Sequence, residues 1–208
     1  MDRGGQEREI KLYVADLDRI RNLLEEMGAQ ITHQRALEVN LRFDTPQRDL
    51  GRHRQALRVR HYDHDTVTFK GPTEFVGGVR ERREIEFEIG DYQTARELFE
   101  ALGYQVVLIY EKYREAYQLG DVEVSLDELP YGDFIEIEGV EVEAIRSTAE
   151  HLKVDWEARI PESYTLLFEN LKTKLGLAFR DLTFTDFKDI WVTPQDLGVK
   201  VADQAGDD

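Results

Sequence analysis

Charged and apolar residues alternate along much of this chain with the period of a β-strand. Over 7–14, Glu7, Glu9 and Lys11 fall on one face and Ile10, Leu12 and Val14 on the other. The same alternation pairs Arg58 with Arg60 and Thr66 with Thr68 and Lys70. It sets Arg82, Glu84, Glu86 and Glu88 against Ile85, Phe87 and Ile89. Lys112 and Arg114 flank Tyr113. Asp121, Glu123, Ser125 and Asp127 oppose Val122, Val124 and Leu126, and Glu136 and Glu138 oppose Ile135 and Ile137. A further strand at 36–43 brings the expected number to eight.

Helical spacing interrupts the strands. Asp16 caps a predicted helix bearing Leu17, Ile20, Leu23, Leu24 and Met27, which Gly28 ends. Asp91 and Gly103 bracket a second, bearing Ala95, Leu98, Phe99 and Leu102. A third runs from about 142 to 152. A fourth begins at Pro161 and carries Tyr164, Leu167 and Leu171 before Gly176. The first two strand–helix units also match at a constant offset of 75: Arg8-Glu9-Ile10 recurs as Arg83-Glu84-Ile85, Asp16 as Asp91 and Gly28 as Gly103. An internal duplication accounts for this, with halves near 7–75 and 82–140. A capping Asp and a terminal Gly common to any two such units offer a plainer account. One domain over 6–180 is expected, followed by a partly disordered extension over 181–208 in which Phe184, Phe187 and Trp191 could pack back.

For a single strand, a charged face turned to bulk water is the ordinary explanation. Solvent faces usually mix Ser, Thr, Gln and Lys, however, and here Glu, Arg, Lys and Asp fill the same-face positions in strand after strand. An antiparallel sheet closed with its apolar face toward outer helices would turn these charges into a polar lumen. The predicted fold class is therefore α+β: a closed eight-stranded antiparallel β-barrel with a charged interior and helices packed outside. Its cations would be Lys11, Arg58, Arg60, Lys70, Arg82, Lys112 and Arg114, and its anions Glu7, Glu9, Glu84, Glu86, Asp127, Glu136 and Glu138.

Charge and composition sharpen this picture. With 43 Asp and Glu against 27 Lys and Arg, the formal net charge is −16, which repels long nucleic acids. Converging guanidinium and ammonium groups nonetheless suit the phosphates of a small polyanion. The chain has no cysteine, so a thiolate metal site, a cysteine nucleophile and a disulfide framework are excluded. Oxygen donors among those cations suit Mg²⁺ or Mn²⁺ bridging protein to phosphate. No apolar run approaches the roughly 20 residues of a membrane span, and the first residues lack the apolar core of a secretion signal. No membrane partner and a cytoplasmic location are expected.

The same residues, in order, resemble the signature of the CYTH superfamily of triphosphate tunnel metalloenzymes, which includes class IV adenylyl cyclases and thiamine triphosphatases. The likeness begins with Glu7-Arg8-Glu9-Ile10-Lys11 and continues through Arg58-x-Arg60, Phe69-Lys70-Gly71-Pro72, Arg82-x-Glu84-x-Glu86 and Lys112-x-Arg114. It ends with Asp127, Gly132-Asp133-Phe134-x-Glu136-x-Glu138 and Ser163-Tyr164. The resemblance implies an eight-stranded tunnel holding a triphosphate. Glu7, Glu9, Asp127, Glu136 and Glu138 would be the metal ligands for Mg²⁺ or Mn²⁺. Lys11, Arg58, Arg60, Lys70, Arg82, Lys112 and Arg114 would bind phosphate, and Lys112, Glu9 and Glu136 would act near the reacting atoms. Glu84 and Glu86 would bind a second metal or pair with neighbouring cations. Family precedent allows a homodimer.

Hydrolysis of tripolyphosphate or a nucleoside triphosphate is the expected activity. The alternatives are conversion of ATP to cyclic AMP and pyrophosphate, and non-catalytic sensing of a polyphosphate or nucleotide. Weaker signals include His61-x-x-His64, read as part of a hairpin turn. Lys172 and Lys174 are possible further phosphate contacts, and Arg48, Arg52 and Arg54 are read as a solvated loop or a guide to the tunnel mouth.

Overall fold

The structure is a computed structural model and describes residues 6–204, without the side chains of Gln6, Glu7, Val76 and Arg80. Its strands are β1 (Gln6–Val14), β2 (Gln30–Asp44), β3 (Ala56–His61), β4 (Thr66–Lys70), β5 (Glu74–Val76), β6 (Val79–Glu88), β7 (Gln105–Leu119), β8 (Val122–Leu129) and β9 (Gly132–Gly139). Helix α1 (Leu17–Glu26) follows β1, α2 (Asp49–Arg52) follows β2, α3 (Tyr92–Ala101) follows β6, and α4 (Val142–His151), α5 (Tyr164–Leu175) and α6 (Pro194–Leu197) follow β9. The caps are those predicted for α1 and α3: Asp16 accepts from the Arg19 amide at 2.9 Å and Asp91 from the Thr94 amide at 2.6 Å. Helix α5 starts later than expected, because the Ser163 hydroxyl, not Pro161, provides its cap.

The strands close into a ring. Neighbours run β1-β9-β8-β7-β2-β3-β4-β6, all antiparallel, and β6 pairs back onto β1 through Gln6↔Arg83 and Arg8↔Glu81. β5 continues the wall beside β6 where β4 has ended. Closure satisfies the backbone donors and acceptors that an open sheet would leave on its edges.

The apolar faces point outward, as the alternation requires. Ile10, Leu12 and Val14 of β1 pack with Val122, Val124, Ile135 and Ile137 of β8 and β9 beneath Ile20 and Leu24 of α1 and Ile145 and Ala149 of α4. Burying each such side chain contributes roughly 1.5–3 kcal/mol, so the outer helices anchor the strands that carry the charged face. Ala95 of α3 joins Leu41, Phe43, Leu57, Val59 and Val67. The outward Ile85 and Phe87 of β6 remain 38% and 49% exposed.

Three features differ from the sequence expectation. β2 and β7 are each 15 residues long and pair along most of their length, with bulges near His33 that no alternation pattern marks. β5 was not expected, being too short to show a period. The boundary near residue 180 does not separate two packing units: Leu182, Phe187 and Leu197 are buried in one cluster with Tyr131, Phe134 and Phe168. Val201 bridges Tyr13 and Leu182 bridges Tyr110. Apolar residues thus fill the space beneath α5 as far as these contacts reach; residues 205–208 lie outside the described residues. Phe184 meets the ring of Tyr113, whereas Trp191 is 89% exposed. Among the described residues, no helix is long and apolar enough to cross a membrane.

Candidate functional site: a charged tunnel

The ring encloses a cavity of about 1600 Å³. Lys11, Arg58, Arg60, Lys70, Arg82, Lys112 and Arg114 all line it, as do Glu9, Glu84, Glu86, Glu136 and Glu138. Asp127 faces the same interior beneath Lys112 and Arg114 and is fully buried. The side chain of Glu7 lies outside the described residues.

These charges form a connected network. Lys11 Nζ lies 2.9 Å from Glu136 and 4.1 Å from the centroid of the Tyr164 ring. Arg114 reaches both Glu136 and Asp127, donating from Nε to Asp127 Oδ1 at 2.6 Å. Lys112 Nζ lies 3.0 Å from Asp127 Oδ2 and 3.6 Å from Glu38. On the opposite wall, Arg60 meets Glu86 at 3.0 Å and donates to the Thr66 hydroxyl. Arg58 donates to the Thr68 hydroxyl at 3.1 Å. Lys70 lies 2.6 Å from Glu84, which also accepts from Arg82.

Burial would push the Glu136 carboxyl upward, but Lys11, Arg114 and Lys112 hold it well below the usual carboxylate range. Glu86 is lowered against the same opposing effect of burial, by Arg60, the Thr68 hydroxyl and Arg58. Glu38 behaves likewise under Lys112 and Arg114. The Tyr110 phenol is also lowered: burial would raise it, but Arg58 is 3.4 Å away. The Tyr164 phenol is raised by burial and by Asp127, to which it donates at 2.8 Å.

Sequence reasoning left several of these residues without a role. Glu38 and Asn40 are fully buried inside the ring, where the Asn40 amide donates to Glu38, and Arg42 lines the cavity on the same face. Alternation along the predicted strand 36–43 would have exposed all three had its faces been compared. Tyr110 carries no such signal, because an aromatic residue there reads equally well as core, and Tyr164 stands in the Ser163-Tyr164 match without a role assigned to it.

The donor chemistry fits a hard cation at one part of the wall. Glu9 stands directly opposite Glu138 in the β1–β9 register, and both line the cavity. Opposed carboxylates repel one another, and an intervening divalent cation relieves that repulsion. Glu9 also lies 3.5 Å from Arg82, and the Asp127 oxygens accept from Lys112, Arg114 and Tyr164. Among the described residues, no three or more His, Cys, Asp or Glu side chains are grouped so as to hold a metal ion. His61 pairs with Asp65 at 2.6 Å and His64 lies 3.4 Å from Asp63, within the β3–β4 turn.

A family model described as the CYTH domain matches residues 5–173. The chain belongs to the CYTH domain family. A protein of Methanocaldococcus jannaschii named "Putative adenylate cyclase MJ0240" is 33% identical over 135 residues, covering 64% of this chain and 75% of that protein. A Vibrio parahaemolyticus protein given the same kind of name has a solved structure at TM-score 0.72. It is 22% identical, and the match covers 80% of this chain and 99% of that one. HpAC1 from Hippeastrum, named an adenylyl cyclase and described with a dominant triphosphatase activity, matches at TM-score 0.62. Its identity is 22%, over 78% of this chain and 95% of that one. The two structural likenesses show that the CYTH domain here has the same ringed fold.

Proposed function

We propose that this CYTH-domain protein is a metal-dependent triphosphatase that hydrolyses tripolyphosphate or the terminal phosphoanhydride of a nucleoside triphosphate. The observation that carries this reading is the distribution of cations. Lys11, Arg58, Arg60, Lys70, Arg82, Lys112 and Arg114 enter one cavity from five strands around the ring. That arrangement matches an elongated polyanion lying along the axis. In this reading the arginine forks bind phosphate oxygens in pairs, and the lysines add point charges. Lys112, steadied by Asp127 and Glu38, orients water toward the terminal phosphorus. The oxygen of that water bonds to phosphorus as the bridging P–O bond breaks, and its proton passes to a phosphate oxygen of the products, leaving orthophosphate and the shortened chain.

Glu9, Glu136 and Glu138 would hold Mg²⁺ or Mn²⁺, which neutralises phosphate charge when bound. Asp127 would then anchor Lys112 and Arg114. Glu84 and Glu86 act as ion-pair partners of Lys70, Arg82 and Arg60.

A second reading, cyclisation of ATP, is favoured by the name of the Methanocaldococcus relative. The same clamp would then hold pyrophosphate as leaving group. Supplying tripolyphosphate, ATP and thiamine triphosphate separately with Mg²⁺ or Mn²⁺ decides between them. Orthophosphate release is expected, cyclic AMP as main product would establish the cyclase, and binding without any product would leave a sensor.

A further inference from the structure

The two ends of the tunnel carry opposite charge. Strand register places Arg42, Ala56 and the loop between β2 and β3 at one end, and the β3–β4 turn at the other. Asp63, Glu88 and Glu123 line the cavity toward the turn end. At the loop end Arg48, Arg52 and Arg54 line it, all exposed.

This arginine loop is rigidly built. The buried Asp44 carboxylate accepts from the amides of Thr45, Leu50 and Gly51 at 2.8, 2.9 and 3.0 Å. Arg48 and Arg54 have φ of 61° and 56°, a left-handed conformation that disfavours any residue with a Cβ. An ordinary solvated loop would place Gly or Asn there. Among the described residues, neither side chain has a carboxylate within ion-pair distance.

Just inside, Arg42 stands directly opposite Arg58 across the β2–β3 register, a repulsive placement. Its Nη1 meets only the Thr165 hydroxyl, at 3.2 Å, and its Nε is buried without a hydrogen-bond partner. Burial lowers its pKa, and Arg58 and Arg82 lower it further. Of the acids at this end, Asp44 is held by the loop amides, Asp49 lies 3.6 Å from Arg52, Glu169 lies 3.8 Å from Lys172, and Asp181 pairs with Arg180. The clamp cations deeper in the tunnel are matched by carboxylates, whereas at this end Arg42, Arg48 and Arg54, among the described residues, have no carboxylate within ion-pair distance, and Lys172 and Arg180 add to the positive charge.

We infer that Arg42 and the Arg48–Arg52–Arg54 loop form a subsite for phosphates beyond the third of a linear chain, so that the tunnel accepts polyphosphates longer than tripolyphosphate from its basic end. This rests on the proposed triphosphate clamp for the first three phosphates.

Isothermal titration of the full chain tests it. The ligands are tripolyphosphate, a medium-length linear polyphosphate and adenosine 5′-tetraphosphate, applied to wild type, an Arg48→Ala/Arg52→Ala/Arg54→Ala variant and Arg42→Gln. Wild type should bind the longer chain more tightly than tripolyphosphate. Exposed ion pairs contribute about twofold each, so the triple variant should lose about tenfold for the longer chain while tripolyphosphate changes by less than about twofold. Arg42→Gln, checked for an unchanged circular dichroism spectrum, should show the same selective loss. The adenosine compound distinguishes a nucleotide tail from an inorganic chain as the natural source of the extra phosphate. Equal weakening of tripolyphosphate and the longer chain would reduce the loop to a general steering field and overturn the subsite. So would a wild type indifferent to chain length. Tripolyphosphate binding with a length preference but no hydrolysis would refute the triphosphatase alone, and no binding of tripolyphosphate would remove clamp and subsite together.

Discussion

Arg60 and Glu136 show how single side chains divide the work of the tunnel. Arg60 is 20% exposed to the lumen and bridges toward Glu38 and Glu86, so Arg60→Ala should leave the outer core intact. Steady-state kinetics should show a fall in kcat/KM of roughly 100-fold or more, the scale seen when one transition-state charge partner is removed. Near-normal turnover would sink the clamp assignment. Glu136→Gln is the better probe of the facing wall, because it preserves shape beside the 4%-exposed Lys11 while removing the charge. Asp133 makes a separate prediction. Burial, with Glu128 and Asp18 adding, pushes its carboxyl up to about 6. The folded state therefore prefers the protonated form, and Asp133 subtracts stability as the pH rises from its unfolded value near 4 through 6. Asp133→Asn should be more stable than wild type at pH 7 and match it near pH 3.5. Urea midpoints that coincide at both pH values would refute this.

At the scale of elements, the charged strand faces were legible because period-two alternation survives wherever one face meets helices. Glu9 and Lys11 sit inside, and Ile10, Leu12 and Val14 outside, as the pattern requires. The helix caps at Asp16 and Asp91 were legible because a side-chain oxygen ahead of an apolar-periodic run has few other uses. The bulges in β2 were not, since a register shift leaves no compositional mark. Nor was the ordered loop after β2, whose geometry depends on Asp44 turning back onto amides six and seven residues away. Asp44→Ala should lower unfolding free energy by about 2 kcal/mol, as buried amides lose a charged acceptor. Hydrogen exchange should accelerate at Leu50 and Gly51 ahead of the barrel strands. Unchanged protection there would show that the loop holds its shape without the carboxylate.

For the whole molecule, fold stability and site chemistry occupy opposite faces of the same strands. Helices and the C-terminal segment supply the apolar burial, and the lumen supplies charges in paired form. Ending the chain at 180 would remove Leu182, Phe187 and Leu197 from the cluster around Tyr131 and Phe134. Thermal unfolding should then begin several degrees lower, at the least, and an unchanged transition would show that the segment is dispensable. Acid should weaken the whole ring. Glu38, Glu86 and Glu136 have folded pKa values below their unfolded ones, so their contribution is present above about 4.5 and is lost as pH falls through the folded values. A urea midpoint that did not decline below pH 4 would contradict the pairing described.

The closure of the ring also sets the order in which the molecule can be made. β1 finds one neighbour in β6 and the other in β9, where Lys11 meets Glu136. During synthesis β1 must therefore wait for its second neighbour until the chain has left the ribosome as far as Gly139. Pairings so distant in sequence make folding slow. The nascent chain meanwhile depends on α1, which follows β1 directly, to shield Ile10, Leu12 and Val14 until the last strand arrives.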